Sequence, residues 1–356
     1  MRHLIIVAGL ILLLSVPVHG TTYLVKPDGT GDFPNIQAAI DAVVDGDIIA
    51  LTEGTFTGPG NRDLDYLGKA ITVMSRGGAP DACIIDCQGY PGVPRRGFSF
   101  CSGEGAESRL VGVTISNGHG GTGSSGKGGA LWVSNCSSPS IENCVFAGNC
   151  ATWGGAVFTE GHSDPAFSRC FFLDNTADQA GGAVSLTGMC FSVIEGCTFW
   201  ANSSSGYSAA LNCEMAAPTL ASCTFVANSC FASGAIGLFD ATALLLDTII
   251  AFSPNCMAIM MEGGNAYLSC CDIYGNSGGD WVGNITGQCG LNGNICEDPL
   301  FCDPENGDFT LHCNSPCVPS SEAREECDLI GAWPVGCGST PGMSATWGRI
   351  KALYHE

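Results

Sequence analysis

Gly128-Gly129-Ala130-Leu131, Gly154-Gly155-Ala156-Val157 and Gly181-Gly182-Ala183-Val184 are three copies of one string. Looser copies follow at Ser208-Ala209-Ala210-Leu211 and Ser233-Gly234-Ala235-Ile236, and the alanines stand 26, 27, 27 and 25 residues apart. A second string runs in step: Cys144-Val145-Phe146, Cys170-Phe171-Phe172, Cys197-Thr198-Phe199 and Cys223-Thr224-Phe225. Asparagine follows each phenylalanine three residues later, at Asn149, Asn175, Asn202 and Asn228. Asp247-Thr248-Ile249 and Cys271-Asp272-Ile273 continue the series, the last with Asn276. A fixed period of this length means stacked units, each too small to bury its own apolar face.

Each copy holds runs of four or five residues with alternating apolar character, which are strands. Glycine, asparagine, aspartate and serine between them supply turns. A leucine-rich repeat would need its L-x-x-L-x-L signature, and a helical repeat would need apolar residues at i, i+3 and i+4; neither is present. Period two puts Cys144 and Phe146 on one face and Asn143 and Val145 on the other. The phenylalanines recur at one locus and therefore point inward. The cysteines at 144, 170, 197, 223 and 271 point inward with them. Stacked strands lie roughly 4.8 Å apart with parallel Cβ vectors, wider than good disulfide geometry, so this row is expected to be free thiols. Asp247 falls at the same place in its coil. Either it is a partnered buried acid or the register slips there.

The paired GGA[ILV] and F-x-x-N motifs resemble the repeats of polymorphic outer-membrane proteins. More broadly, the repeat resembles the right-handed parallel β-helix of the pectin lyase-like superfamily. The resemblance covers 128–276 well, and four in-phase copies make it specific. It implies an all-β solenoid with a cap at each end. At the N-terminal end, Lys26 to Phe33 leads into Ile36-Gln37-Ala38-Ala39-Ile40-Asp41-Ala42-Val43, whose apolar residues fall at helical spacing. At the other end, residues 289–337 hold seven cysteines and the strings Asp298-Pro299-Leu300-Phe301, Gly307-Asp308-Phe309 and Leu329-Ile330-Gly331-Ala332, which resemble a closing segment. The odd count asks for one partner outside the segment or a free thiol.

The expected organisation is a leader at 1–20 and a β-helix over 21–337. Within it lie an N-terminal helical cap (21–60), irregular coils (61–127), regular repeats (128–276) and a disulfide-rich C-terminal cap (277–337). A tail spans 338–356. Arg2, His3, the apolar run from Leu4 to Val16 and the small-x-small site Val18-His19-Gly20 form the leader pattern. No later segment is long and apolar enough to span a bilayer. In the tail, Trp347, Ile350, Leu353 and Tyr354 share a helical stripe, read as folding back on the cap. Twenty-two cysteines without zinc-type C-x-x-C pairs suit an exported, disulfide-forming protein better than a metal site. A formal charge of −21 opposes nucleic acid as a partner. No cofactor or metal motif is present.

The superfamily includes polysaccharide lyases, glycosidases and esterases. Gly118-His119-Gly120 and Arg349-Ile350-Lys351 match two polygalacturonase strings in the right order, but no Asp-Asp pair precedes the histidine. The match reads as accidental and His119 as a solvated loop residue. Asp28-Gly29-Thr30-Gly31-Asp32-Phe33 is similar to the start of pectin methylesterases, whose catalytic acids have no counterpart here. The densest ionisable coil holds Glu160, His162, Asp164, Arg169, Asp174 and Asp178. His162, Asp164 and Arg169 are the candidates for catalysis. Trp153, Glu160 and Asp174 are the candidates for ligand contact, with Trp200, Tyr207, Phe231 and Tyr274 as other aromatics near turns. A solvated loop with a surface ion pair is the plainer reading of the same coil. Asn202-Ser203-Ser204 and Asn284-Ile285-Thr286 match the glycosylation sequon. The outward positions Val145, Phe171, Thr198 and Thr224 are not catalytic types. The function expected is a secreted or cell-surface, non-catalytic scaffold for adhesion or glycan contact; the alternative is a polysaccharide lyase or hydrolase.

Overall fold

The computed structural model describes residues 20–231, 233–319 and 327–338. The leader, save Gly20, and the tail from 339 with its Arg349-Ile350-Lys351 string lie outside the described residues. The rest is a parallel β-helix with few helices. One coil shows the plan: strands Val157–Thr159, Ala166–Ser168, Phe171–Leu173 and Thr176–Ala180 pair in parallel with Val184–Thr187, Val193–Glu195, Thr198–Trp200 and Ser203–Ser204 of the next. At the N-terminal end the helix Ile36–Ala42 buries Ile36, Ala39 and Ile40 against the first coils, and Asn35 caps it by accepting from Ala38 N at 2.9 Å.

The inward ladders are as the repeat requires. Phe146, Phe172, Phe199 and Phe225 stack face to face, with centroids 4.9, 4.6 and 4.4 Å apart. Burying each contributes about 1.5–3 kcal/mol. Asn149, Asn175, Asn202 and Asn228 are fully buried beside them. Asn175 donates through Nδ2 to Asn202 Oδ1 and to Phe146 O, both at 2.9 Å, so no amide group is left dry and unbonded. Asn202 thus belongs to the core, out of reach of glycosylation.

The cysteine row is buried and unbridged. Its placement follows from the corner before it. Asn143, Arg169, Gly196, Ser222, Asp247 and Cys270 all take positive φ, between 47° and 60°, to turn the chain within one residue. Each following thiol reaches back to the carbonyl ahead of the corner: Cys144 to Glu142 O at 3.3 Å, Cys223 to Ala221 O at 3.3 Å. Burial raises the thiols of Cys144 and Cys197, and pushes those of Cys223 and Cys271 up to about 12.

The coil at 247 is a correction to the expected register. Ile249 pairs with Thr224 and Ile250 with Phe225, so Thr248, not Asp247, takes the thiol position. Its hydroxyl does the thiol's work better, donating to Leu246 O at 2.9 Å. Asp247 sits at the corner, facing outward.

Gly128, Gly154 and Gly181 take positive φ where the chain enters three regular coils, and Ser208 takes the same conformation in a fourth. Gly154 has φ of 59°, and a Cβ there would lie 2.0 Å from Val157 O. Further along, Gly234–Leu246 and Met257–Ser269 are single strands of thirteen residues that pair over most of their length. They merge two sheets that the earlier coils keep apart.

The C-terminal cysteine-rich region has two parts. Ile285, fully buried in the 3-10 turn Gly283–Gln288, plugs the end of the coil with Trp281 beside it. The described residues from 298 to 338 then run back along the flank rather than closing the end. Strands Phe301–Asp303, Asp308–His312 and Val335–Cys337 form a small sheet of this strap. Phe309 packs against Trp200 and Phe171, with centroids 5.2 and 6.4 Å away. Trp333 Nε1 donates to Thr198 Oγ1 at 2.8 Å, and Ala332 N to Thr224 Oγ1 at 2.9 Å. The outward residues Phe171, Thr198, Trp200 and Thr224 are therefore buried under a strap. Two disulfides hold it: Cys302–Cys337 within the strap, and Cys270–Cys327 to the coil. Cys270 is a partner outside the segment, while Cys289, Cys296 and Cys313 within it are unbridged.

Candidate functional site

A cavity opens where the irregular coils meet the first regular repeat. It encloses about 560 Å³ and is lined by Asp63, Arg95, Arg96, His119, Lys127 and Trp132, with the loop 120–125 as its rim. Three cations and an imidazole thus meet in one hollow of a chain with a net charge of −21. Such focusing attracts anions against the overall field.

Each side chain is held by its backbone setting. His119 lies between two neighbours: its N–H donates to Arg95 O at 2.7 Å, its carbonyl accepts from Arg95 N at 3.0 Å, and it bridges in parallel to Cys150. The glycines on either side permit this closeness. A Cβ at Gly118 would lie 2.1 Å from Gly129 O, and one at Gly120 would lie 2.7 Å from Lys127 O. The Gly118-His119-Gly120 string is thus a packing device. His119 is 5% exposed, a correction to its reading as a solvated loop residue. Its Nδ1 accepts from Gly121 N at 3.0 Å, so the neutral ring carries its proton on Nε2.

Arg96 is a strut. It donates to the carbonyls of Gly128 and Lys127 and lies 5.4 Å from the Trp132 ring centre. Burial pulls its pKa below the usual value. Arg95 is more open and sits 3.8 Å from Asp63. Lys127 pairs with Glu160 at 2.6 Å and lies over the Phe158 ring. Glu160 also accepts from Trp132 Nε1 at 3.1 Å, which fixes the indole plane at the cavity wall.

The residues singled out from sequence are scattered by comparison. Glu160 reaches the cavity through Lys127 and Trp132. Trp153 is half-buried, and its backbone bridges to Lys127 nearby. His162 is exposed on a turn. Asp164 accepts from Phe191 N at 2.6 Å on that side of the coil. Arg169 is exposed at its corner, beside a second cavity. Asp174 is half-buried at another single-residue turn, with φ of 50°. No ion pair joins His162, Asp164 and Arg169 among the described residues. The Arg95-Arg96 pair, with Lys127 downstream, was the available signal for the larger cavity, since cations are scarce in this chain.

No group of three or more metal-binding side chains occurs among the described residues, and no helix there is long and apolar enough to cross a membrane. A family model described as a right-handed beta helix region matches residues 96–295. No curated protein matches in sequence. Among solved structures, pectate lyase Pel9A aligns at 15% identity and a TM-score of 0.39, over 89% of this chain and 96% of that one. A pectin methylesterase from carrot aligns at 12% identity and a TM-score of 0.34, over 82% of this chain and 92% of that one.

Proposed function

The chain belongs to the right-handed β-helix family, and from that premise we propose that it is an extracellular, non-catalytic protein that holds acidic glycan in the cavity around Arg95, Lys127 and Trp132. One observation carries this reading: scarce cations converge beside an indole in a strongly acidic chain. A carboxylate on the ligand would compete with Asp63 for the Arg95 fork. The Trp132 ring, pinned by Glu160, offers a flat apolar face to a sugar. Arg96 is bonded to main-chain carbonyls and Lys127 to Glu160, so these cations are already engaged, which suits holding a ligand more than moving protons. The two disulfides and the leader-like start support export.

Affinity electrophoresis through polygalacturonate tests the reading. The protein is expected to be retarded, less so as salt rises. Combining Arg95→Ser with Lys127→Gln should weaken retardation by roughly tenfold or more. Equal migration in polygalacturonate and in a neutral glucan would sink the proposal.

A second reading rests on His119. Its imidazole shares the cavity with Arg95 and Lys127, where a proton carrier and carboxylate-binding cations would serve a polysaccharide lyase or hydrolase. Release of unsaturated or reducing ends, abolished by His119→Ala, would replace the binding reading with this one.

A further inference from the structure

A second cavity, of about 230 Å³, opens at the seam where the strap meets the coil. Its walls include Asn143, Arg169, Phe171 and Thr198 from the coil and Ala332 and Trp333 from the strap. Neither the repeat nor the larger cavity requires it.

Arg169 is the only cation in the corner row of Asn143, Arg169, Gly196, Ser222, Asp247 and Cys270. Its side chain lies across Gly196: a Cβ on that glycine would be 3.5 Å from Arg169 Cγ. Arg169 makes no ion pair among the described residues. Of the two acids on the coils flanking it, Glu142 is taken by Arg109 at 2.7 Å. Glu195 gives its backbone carbonyl to Arg169 N at 2.8 Å, and its carboxylate forms no ion pair among the described residues. The seam therefore holds an exposed guanidinium fork that no carboxylate occupies.

The other walls supply complementary chemistry. Thr198 Oγ1 accepts from Trp333 Nε1, which fixes the indole against the coil. Asn143 donates through Nδ2 to Gly78 O at 3.0 Å, which turns its amide by one bond and leaves its carbonyl oxygen as an acceptor. Trp333, packed against the buried cluster that holds Phe171, gives apolar surface. A fork for one carboxylate, flat apolar walls and room for a single ring define a narrow class of ligand.

We infer that the strap seam is a binding site for a small cyclic carboxylate, a sugar acid or an aromatic acid, held by Arg169 against Trp333. The site is complete only when the strap is docked, because Ala332 and Trp333 belong to it. It does not depend on the larger cavity.

The test is titration of the full-length oxidised protein, followed by ligand-observed NMR, with galacturonate and benzoate as probes and galactose and benzyl alcohol as neutral controls. At least one acid should bind, and its neutral counterpart should bind at least about tenfold more weakly. Whichever acid binds identifies the source of the carboxylate. Arg169→Gln should weaken binding by about tenfold or more, and Arg169→Lys, which keeps the charge without the fork, by less. The Arg95→Ser, Lys127→Gln protein should bind the acid as the parent does. Three outcomes overturn the inference: no acid binds, the neutral probes bind equally, or Arg169→Gln and Arg169→Lys both bind like the parent. Loss of binding only in the Arg95 and Lys127 variant also overturns it, since the ligand would then occupy the larger cavity.

Discussion

The two outer faces of the coil meet opposite fates. On one, Phe171, Leu173, Trp200 and Val226 point outward, yet they are buried, because Phe309 and Trp333 of the strap lie over them. On the other, Trp132 and Lys127 point outward and stay reachable, edging the cationic cavity. Inside, four successive coils repeat phenylalanine, thiol and asparagine because each side chain must match the copy above and below. Outside, nothing forces repetition, and composition reports instead what covers the surface: apolar under the strap, charged and aromatic at the cavity. Outward tryptophans therefore mean different things on the two faces.

The sharpest way to break the contrast is to damage the interior. Phe199→Ala leaves a hole between Phe172 and Phe225, and should cost about 3–5 kcal/mol in chemical denaturation. A loss as small as that of a typical surface substitution would mean that the ladder collapses around the gap.

The strap should give way at less cost. Replacing Cys270 and Cys327 together by serine removes a bridge that closes a long loop, and should cost about 2–4 kcal/mol. Limited proteolysis should then cut within 298–337 first, while binding at the larger cavity is kept. Simultaneous loss of that binding would show that the two faces are coupled.

The smallest effect concerns the thiol row. Burial raises Cys223 and Cys271 to about 12, whereas an unfolded thiol ionises near 8.5. The unfolded chain then releases protons first, so the stability these thiols contribute is complete below pH 8.5 and declines as pH rises toward 12. Thermal denaturation between pH 8 and 10 should show this decline. Cys223→Thr should reduce it, with little change in stability at pH 7, because Thr248 fills the same position in its own coil.

The fold was legible because a solenoid writes its core in period. Four phenylalanines in phase define the inward face, and the cap helix follows from apolar spacing after Asn35. Legibility ended where the period did. At 247 the spacing between copies shortens, and only the pairing of Ile249 with Thr224 reveals that Thr248 replaces the thiol. The cavity was hidden for the same reason. Asp63, Arg95, Arg96, His119 and Lys127 are spread over the irregular coils, where no repeat aligns one turn with the next, and Trp132 is not repeated in the copies that follow. Two flanking glycines made His119 look like loop when they are what lets it pack. The strap's cysteines and closing strings were visible, but its destination on the flank is a tertiary fact that no local pattern carries.

The asparagine ladder has one missing rung. The side-chain amides run from Asn149 to Asn228 and resume at Asn276, but the coil between has Ser253, whose hydroxyl is buried without a partner. At that gap the two thirteen-residue strands, Gly234–Leu246 and Met257–Ser269, pair from end to end, skipping only Ala235 and Asp240. Cohesion along the axis thus passes from side-chain amides to main chain where the ladder fails. The last coils can therefore belong to the same cooperative unfolding unit as those before them, instead of fraying as a separate one.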